Sequence, residues 1–148
     1  IWLIFNSFVK KMRNSVTIFF LIFFISCGER NNYIPDVFVN HEIDLNSPEN
    51  ISLSALGGSL IIENQGYNGL IIYRFSSYDY HAYDKSCTYE PLTACAEIDS
   101  INSSLAICSC CNSVFLLDQD GSVANGPAIL PLKRYSTFLE GNMLFISN

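Results

Sequence analysis

Three of the six cysteines fall within four residues, Cys108-Ser109-Cys110-Cys111, and Cys87 and Cys95 lie upstream in a second box roughly twenty residues away. Cysteines grouped in this way mark crosslinks or a metal site, and whatever fold the chain adopts must bring the two boxes together. The sequence around them favours strands. Val37-Phe38-Val39 and His41–Leu45 alternate apolar and polar residues, Ser59–Glu63 and Leu70–Phe75 flank a Gly66-Tyr67-Asn68-Gly69 turn, and Tyr78–Asp84 is a tyrosine-rich run. Downstream, Phe115–Asp118 reads as a core strand, Gln119-Asp120-Gly121 as a hairpin turn, and Tyr135–Leu139 with Met143–Ile146 as a closing hairpin. Ile51–Leu56 is a short helical turn or loop, and no 3.6-residue periodicity is sustained over ten residues beyond the N-terminal segment. The predicted class is all-β.

The N-terminal stretch has a different character. Lys10, Lys11 and Arg13 precede the apolar run Ser15–Ile25, which ends at Ser26-Cys27-Gly28. A basic flank, a core of about a dozen apolar residues and small residues at the end describe an export signal, since a spanning helix needs about 20 apolar residues. The terminal cysteine makes it look like a bacterial lipobox, with Cys27 lipidated, Met12 the natural start and residues 1–11 upstream sequence. A plain secretory signal is the alternative. The expected organisation is 1–26 signal, 27–36 tether and 37–148 a single domain anchored in the cell envelope, facing the periplasm or the surface. Beyond Cys27 there are fourteen acidic side chains and five basic ones, a net charge of −9. That balance and the absence of any lysine or arginine cluster exclude nucleic acid and anionic lipid as ligands, while leaving a basic protein partner open.

The two boxes, together with Asp120-Gly121 and Gly126-Pro127-Ala128 downstream, resemble the Rieske iron-sulfur domain. The resemblance covers roughly 37–147 and is strongest over 82–135. It implies a small antiparallel β-sandwich or barrel with a two-loop cluster-binding subdomain. In that family Cys-x-His and Cys-x-x-His supply two thiolates to one iron and two imidazoles to the other. The resemblance places Cys87 and Cys108 on the thiolate positions, Cys95 and Cys110 on a disulfide pair, and Tyr89 and Cys111 where the histidines belong. It also places Asn112 at a glycine position, Ser113 on the serine that donates to cluster sulfur, and Gly126 and Pro127 in the loop that covers the cluster. Asn is the non-glycine residue that best tolerates a left-handed backbone, so that loop can keep its shape. Between Cys87 and Cys95 the chain departs from the family by about three extra residues and lacks the usual glycine.

The substituted ligand set leaves several functions open. The first is a structural or interaction module with no cofactor, in which a Cys87–Cys108 or Cys87–Cys111 disulfide replaces the cluster as the clamp between the loops. The second is an electron carrier with a 2Fe-2S cluster held by Cys87, Cys108, Cys111 and Tyr89. The third is a zinc site on Cys87, Cys108 and Cys111, because Cys-x-x-Cys is also a zinc spacing. A thiol-disulfide role for Cys108–Cys111 is weakened by the lack of a helix N-terminus to lower the thiol pKa. His41 and His81 read as ordinary strand residues, and the tyrosines at 73, 78, 80, 83 and 89 as cross-strand packing. No Ser-His-Asp order, carboxylate pair or phosphate loop assembles from these residues, so at most the chain is an electron-transfer component of an oxidoreductase.

Overall fold

A computed structural model describes residues 34–148. The signal segment, Cys27 and the first part of the tether lie outside the described residues. Among the described residues, ten strands form two antiparallel sheets. The larger sheet contains β1 (Asn40–Asp44), β2 (Ser59–Ile62), β3 (Leu70–Arg74), β4 (Tyr80–Asp84), β9 (Arg134–Glu140) and β10 (Met143–Ser147), in the order β1-β10-β9-β4-β3-β2. The smaller one contains β5 (Ser100–Asn102), β6 (Leu105–Cys108), β7 (Ser113–Leu116) and β8 (Ser122–Asn125), in sequence order. The only helical element among the described residues is a 3-10 turn, Pro48–Ser54. The all-β expectation holds.

The run Leu70-Ile71-Ile72-Tyr73 shows how sequence sets layering. Successive strand residues point to opposite faces, so a continuous apolar run implies a strand covered on both sides. Leu70 and Ile72 enter one buried cluster with Tyr80, Ala82, Leu144 and Ile146, while Ile71 and Tyr73 enter another with Tyr83, Phe115 and Leu117. β3 and β4 are therefore the partition between two cores. The second of these cores also contains Cys87 and Cys108, so the cysteine boxes are packed into the hydrophobic interior. Of the tyrosines expected to pack across strands, Tyr73, Tyr80 and Tyr83 do; Tyr78 does not, lying 84% exposed in the turn before β4, where no strand neighbour covers it.

β4 ends at Asp84, which is fully buried. One carboxylate oxygen accepts from the Ser86 N–H at 2.9 Å and from its hydroxyl, and the other from the Tyr67 N–H at 2.7 Å and the Tyr135 hydroxyl at 2.8 Å. The side chain thereby ties the β2–β3 turn, β9 and the start of the first cysteine loop to one point.

Candidate metal centre

The first cysteine loop leaves β4 and returns on itself. The Cys87 N–H donates to the Ala96 carbonyl at 2.9 Å, the Ile98 N–H to the Lys85 carbonyl at 2.7 Å, and Ser86 bridges to Glu97. The extra residues lie inside this closed loop, where Glu90 takes a φ of +50°. That left-handed conformation is the one a glycine adopts without steric cost. The second loop is the turn between β6, ending at Cys108, and β7, beginning at Ser113. Asn112 has a φ of +59°, as its residue type predicts. Asp99 holds the turn from outside by accepting from the Ser109 N–H at 3.2 Å and the Ser109 hydroxyl at 3.0 Å. A disulfide between Cys95 and Cys110 joins the two loops, the pairing that the resemblance implied.

Three thiols remain, and the fold brings them to one place. Cys87 Sγ lies 3.4 Å from Cys111 Sγ, Cys108 Sγ lies 3.6 Å from Cys111 Sγ, and all three lie within 4.8 Å of one another. Cys87 and Cys108 are buried and Cys111 is half-buried. Backbone N–H groups of Tyr89, Cys111 and Ser113 face the sulfurs of Cys87, Cys108 and Cys111 respectively. Burial pushes the Cys87 and Cys108 thiols up. Cys111 goes the other way: burial opposes ionisation there as well, but the Ser113 hydroxyl, the Ser113 N–H and the neighbouring Cys87 and Cys108 thiols together outweigh it. Cys111 is therefore the first of the three to give up its proton.

Ser113 is central to that asymmetry. Its Oγ accepts both the Ala128 N–H and the Cys111 thiol, each at 3.1 Å, and once Cys111 is ionised the hydroxyl hydrogen is free to turn to the sulfur. The proline loop must come close for this to happen. A Cβ on Gly126 would sit 2.5 Å from Ser113 Cα and 2.8 Å from the Asn112 carbonyl oxygen, and the residue has a φ of +99°, so only glycine fits. Pro127 beside it is exposed. The Thr88 hydroxyl donates to the Leu130 carbonyl at 2.6 Å, tying the first cysteine loop to the proline loop. Sequence reasoning missed Thr88, Asp84 and Asp99. Thr88 stood inside the first box, whereas the partners of the two aspartates are fixed only by the folded topology.

Tyr89, the fourth candidate ligand, contributes its backbone N–H to Cys87, and its ring is 38% exposed. His81 is buried on β4, with Nδ1 3.0 Å from the Tyr83 hydroxyl and 3.1 Å from the Leu117 carbonyl, and its ring stacks on Phe75. His41 lies on β1, in the other sheet from β6 and β7.

The sulfur spacing decides how many metal ions the trio suits. Thiolates on one tetrahedral ion, at about 2.3 Å each, are separated by roughly 3.8 Å. In a centre of two such tetrahedra sharing a sulfide edge, terminal ligands on different ions are at least roughly 5.3 Å apart. The separations of 3.4 and 3.6 Å lie a few tenths of an ångström below the first figure and far below the second. Cys111 thus occupies a corner beside Cys87 and Cys108, and the donor set does not fit the two-iron centre.

No family model matches the sequence, and no curated protein matches it significantly. Two solved structures are similar over 76% of this chain. One comes from the complex of reduced oxygenase and oxidized ferredoxin in carbazole 1,9a-dioxygenase, with 14% identity, 94% of that chain covered and a TM-score of 0.50. The other is the plasma membrane Rieske protein PetC3 of the cyanobacterium Synechocystis PCC 6803, with 22% identity, 100% of that chain covered and a TM-score of 0.51. Two antiparallel sheets, two cysteine loops joined by a disulfide and a Gly-Pro-Ala loop packed against the second of them make this a Rieske-type fold.

Proposed function

We propose that the chain is an exported, lipid-anchored domain of Rieske-type fold that has given up the two-iron centre and serves as a structural or interaction module. The observation that carries this reading is the 3.4 and 3.6 Å approach of Cys111 to Cys87 and Cys108, a spacing that leaves the second iron without a thiolate. Tyr89 is the remaining candidate at that position, and phenolate in place of neutral imidazole adds negative charge to a site whose thiolates already carry it. What the loops retain is shape. Leu92 and Ile129, 72% and 89% exposed, offer one apolar side chain on each of two neighbouring loops, and the acidic surface suits a basic protein partner. The similarity to a chain from an oxygenase–ferredoxin complex supports a protein partner.

The test is anaerobic reconstitution with iron and sulfide, followed by dithionite reduction and low-temperature electron paramagnetic resonance. The expected spectrum contains no rhombic signal stoichiometric with protein. A rhombic signal accounting for most of the chains and lost in Cys111→Ala makes the domain an electron carrier and overturns the proposal. Anchoring is tested separately. Cys27→Ser is expected to abolish fatty-acid labelling and membrane fractionation, and labelled Cys27→Ser protein would remove the anchor from the reading.

A further inference from the structure

We infer that Cys87, Cys108 and Cys111 bind a single zinc ion, which clamps the two cysteine loops and leaves one coordination position open. The inference rests on the reading that the two-iron centre is absent. It starts from the number of sulfurs. A disulfide would use two of the three and leave the convergence of the third without a role, whereas one tetrahedral ion uses all of them. The separations of 3.4 and 3.6 Å fall a few tenths of an ångström short of the roughly 3.8 Å edge that zinc thiolates require. Small rotations of the side chains close that gap.

The elements that carry the sulfurs suit the task. Cys108 and Cys111 stand at Cys-x-x-Cys spacing across the turn between β6 and β7, and Cys87 enters from the loop after β4. Each sulfur is faced by a backbone N–H, and Cys111 also by the Ser113 hydroxyl, so the thiolate charge is met by oriented dipoles before any ion arrives. Thiolates select soft ions over magnesium or calcium. Among soft ions, a divalent one with three thiolates leaves a net charge of −1 in a site where two of the sulfurs are buried, and monovalent copper would leave −2. Charge thus favours zinc. Binding exchanges the thiol protons for the ion, with no electron transferred. No histidine reaches the fourth position, since His81 is engaged with Tyr83 and Leu117 and His41 lies on β1. Cys111, the half-buried member, marks the side from which water or an external donor completes the tetrahedron.

The experiment uses the full chain purified without oxygen or chelator. One zinc per chain is expected by elemental analysis. Replacement by Co2+ should give the near-ultraviolet thiolate-to-cobalt band and the intense visible bands of a tetrahedral site. Loss of a neighbouring hydrogen bond typically costs a metal site 10- to 100-fold in affinity, so losing a ligand in Cys111→Ser should weaken zinc binding by more than about 100-fold, with an unchanged far-ultraviolet circular dichroism spectrum. Three outcomes overturn the inference: zinc and Co2+ both fail to bind while all three thiols react with iodoacetamide, peptide mapping finds a disulfide among Cys87, Cys108 and Cys111, or the chain takes copper and not zinc. Each of these leaves the absence of the two-iron centre standing, whereas a reconstituted iron-sulfide signal removes that reading directly.

Discussion

Asp84→Ala should destabilise the domain by about 3 to 5 kcal/mol, because it removes four hydrogen bonds to a buried carboxylate and opens a cavity beside their donors. Those donors are the Ser86 N–H and hydroxyl, the Tyr67 N–H and the Tyr135 hydroxyl. Asp84→Asn should recover little, since its amide keeps one acceptor oxygen and turns an N–H2 group toward two of the donors. Urea unfolding followed by far-ultraviolet circular dichroism, extrapolated linearly to water, measures the loss. A change under about 1 kcal/mol would mean that water satisfies these donors and that Asp84 does not organise the end of β4. The damage should also reach the thiol site, because Ser86 directly precedes Cys87. Faster alkylation of Cys87 in the variant would register it.

Removing the Cys95–Cys110 disulfide is the other large effect. The bonded residues are 15 apart in sequence, and a crosslink closing a loop of that length contributes about 3 kcal/mol by restricting the unfolded chain. Cys95→Ser combined with Cys110→Ser should therefore lower the urea midpoint by a similar margin to the Asp84 variants. Its local signature differs, however. Between Glu90 and Cys95 the described backbone contacts stay within the loop, the Thr93 N–H donating to the Glu90 carbonyl and the Ala96 N–H to the Thr93 carbonyl. Freed of the crosslink, that segment should become the first site of proteolytic cleavage. Unchanged cleavage together with unchanged stability would show that the loop is held by Thr88 and its bond to Leu130 instead.

Much of the architecture was legible because short strands and tight turns write themselves locally. The β2–β3 hairpin falls at the Gly66–Gly69 turn, and the β9–β10 hairpin where Tyr135–Leu139 and Met143–Ile146 were read as a closing pair. β5, β6 and β8 were not anticipated. They are three or four residues long, and Ser100-Ile101-Asn102 and Ser122–Asn125 show too little alternation to separate a strand from a loop. Pairing within the four-stranded sheet, β5 with β6, β6 with β7 and β7 with β8, decides their state, which is information held elsewhere in the chain. The site divides in the same way. Left-handed geometry at Asn112 followed from residue type and position in the box, whereas the sulfur that Ser113 touches is the Cys111 thiol and not the cluster sulfur that the resemblance implied. The approach of Cys111 to Cys87 depends on how two loops 24 residues apart in sequence are folded onto each other, and no spacing rule gives it.

The supports of this site are separable from its ligands. Asn112, Gly126, Thr88, Asp99 and the Cys95–Cys110 bridge fix the loops, and none of them faces the centre as a donor to metal. The groups that converge on the centre are the thiols of Cys87, Cys108 and Cys111. Under the proposed reading, a scaffold built so is open to exchange of its chemistry by drift at the two positions where the resemblance places Tyr89 and Cys111, with no change to the supports. Inheritance of the shape and inheritance of the redox centre are then independent traits, and in a lineage of such domains the first can outlast the second.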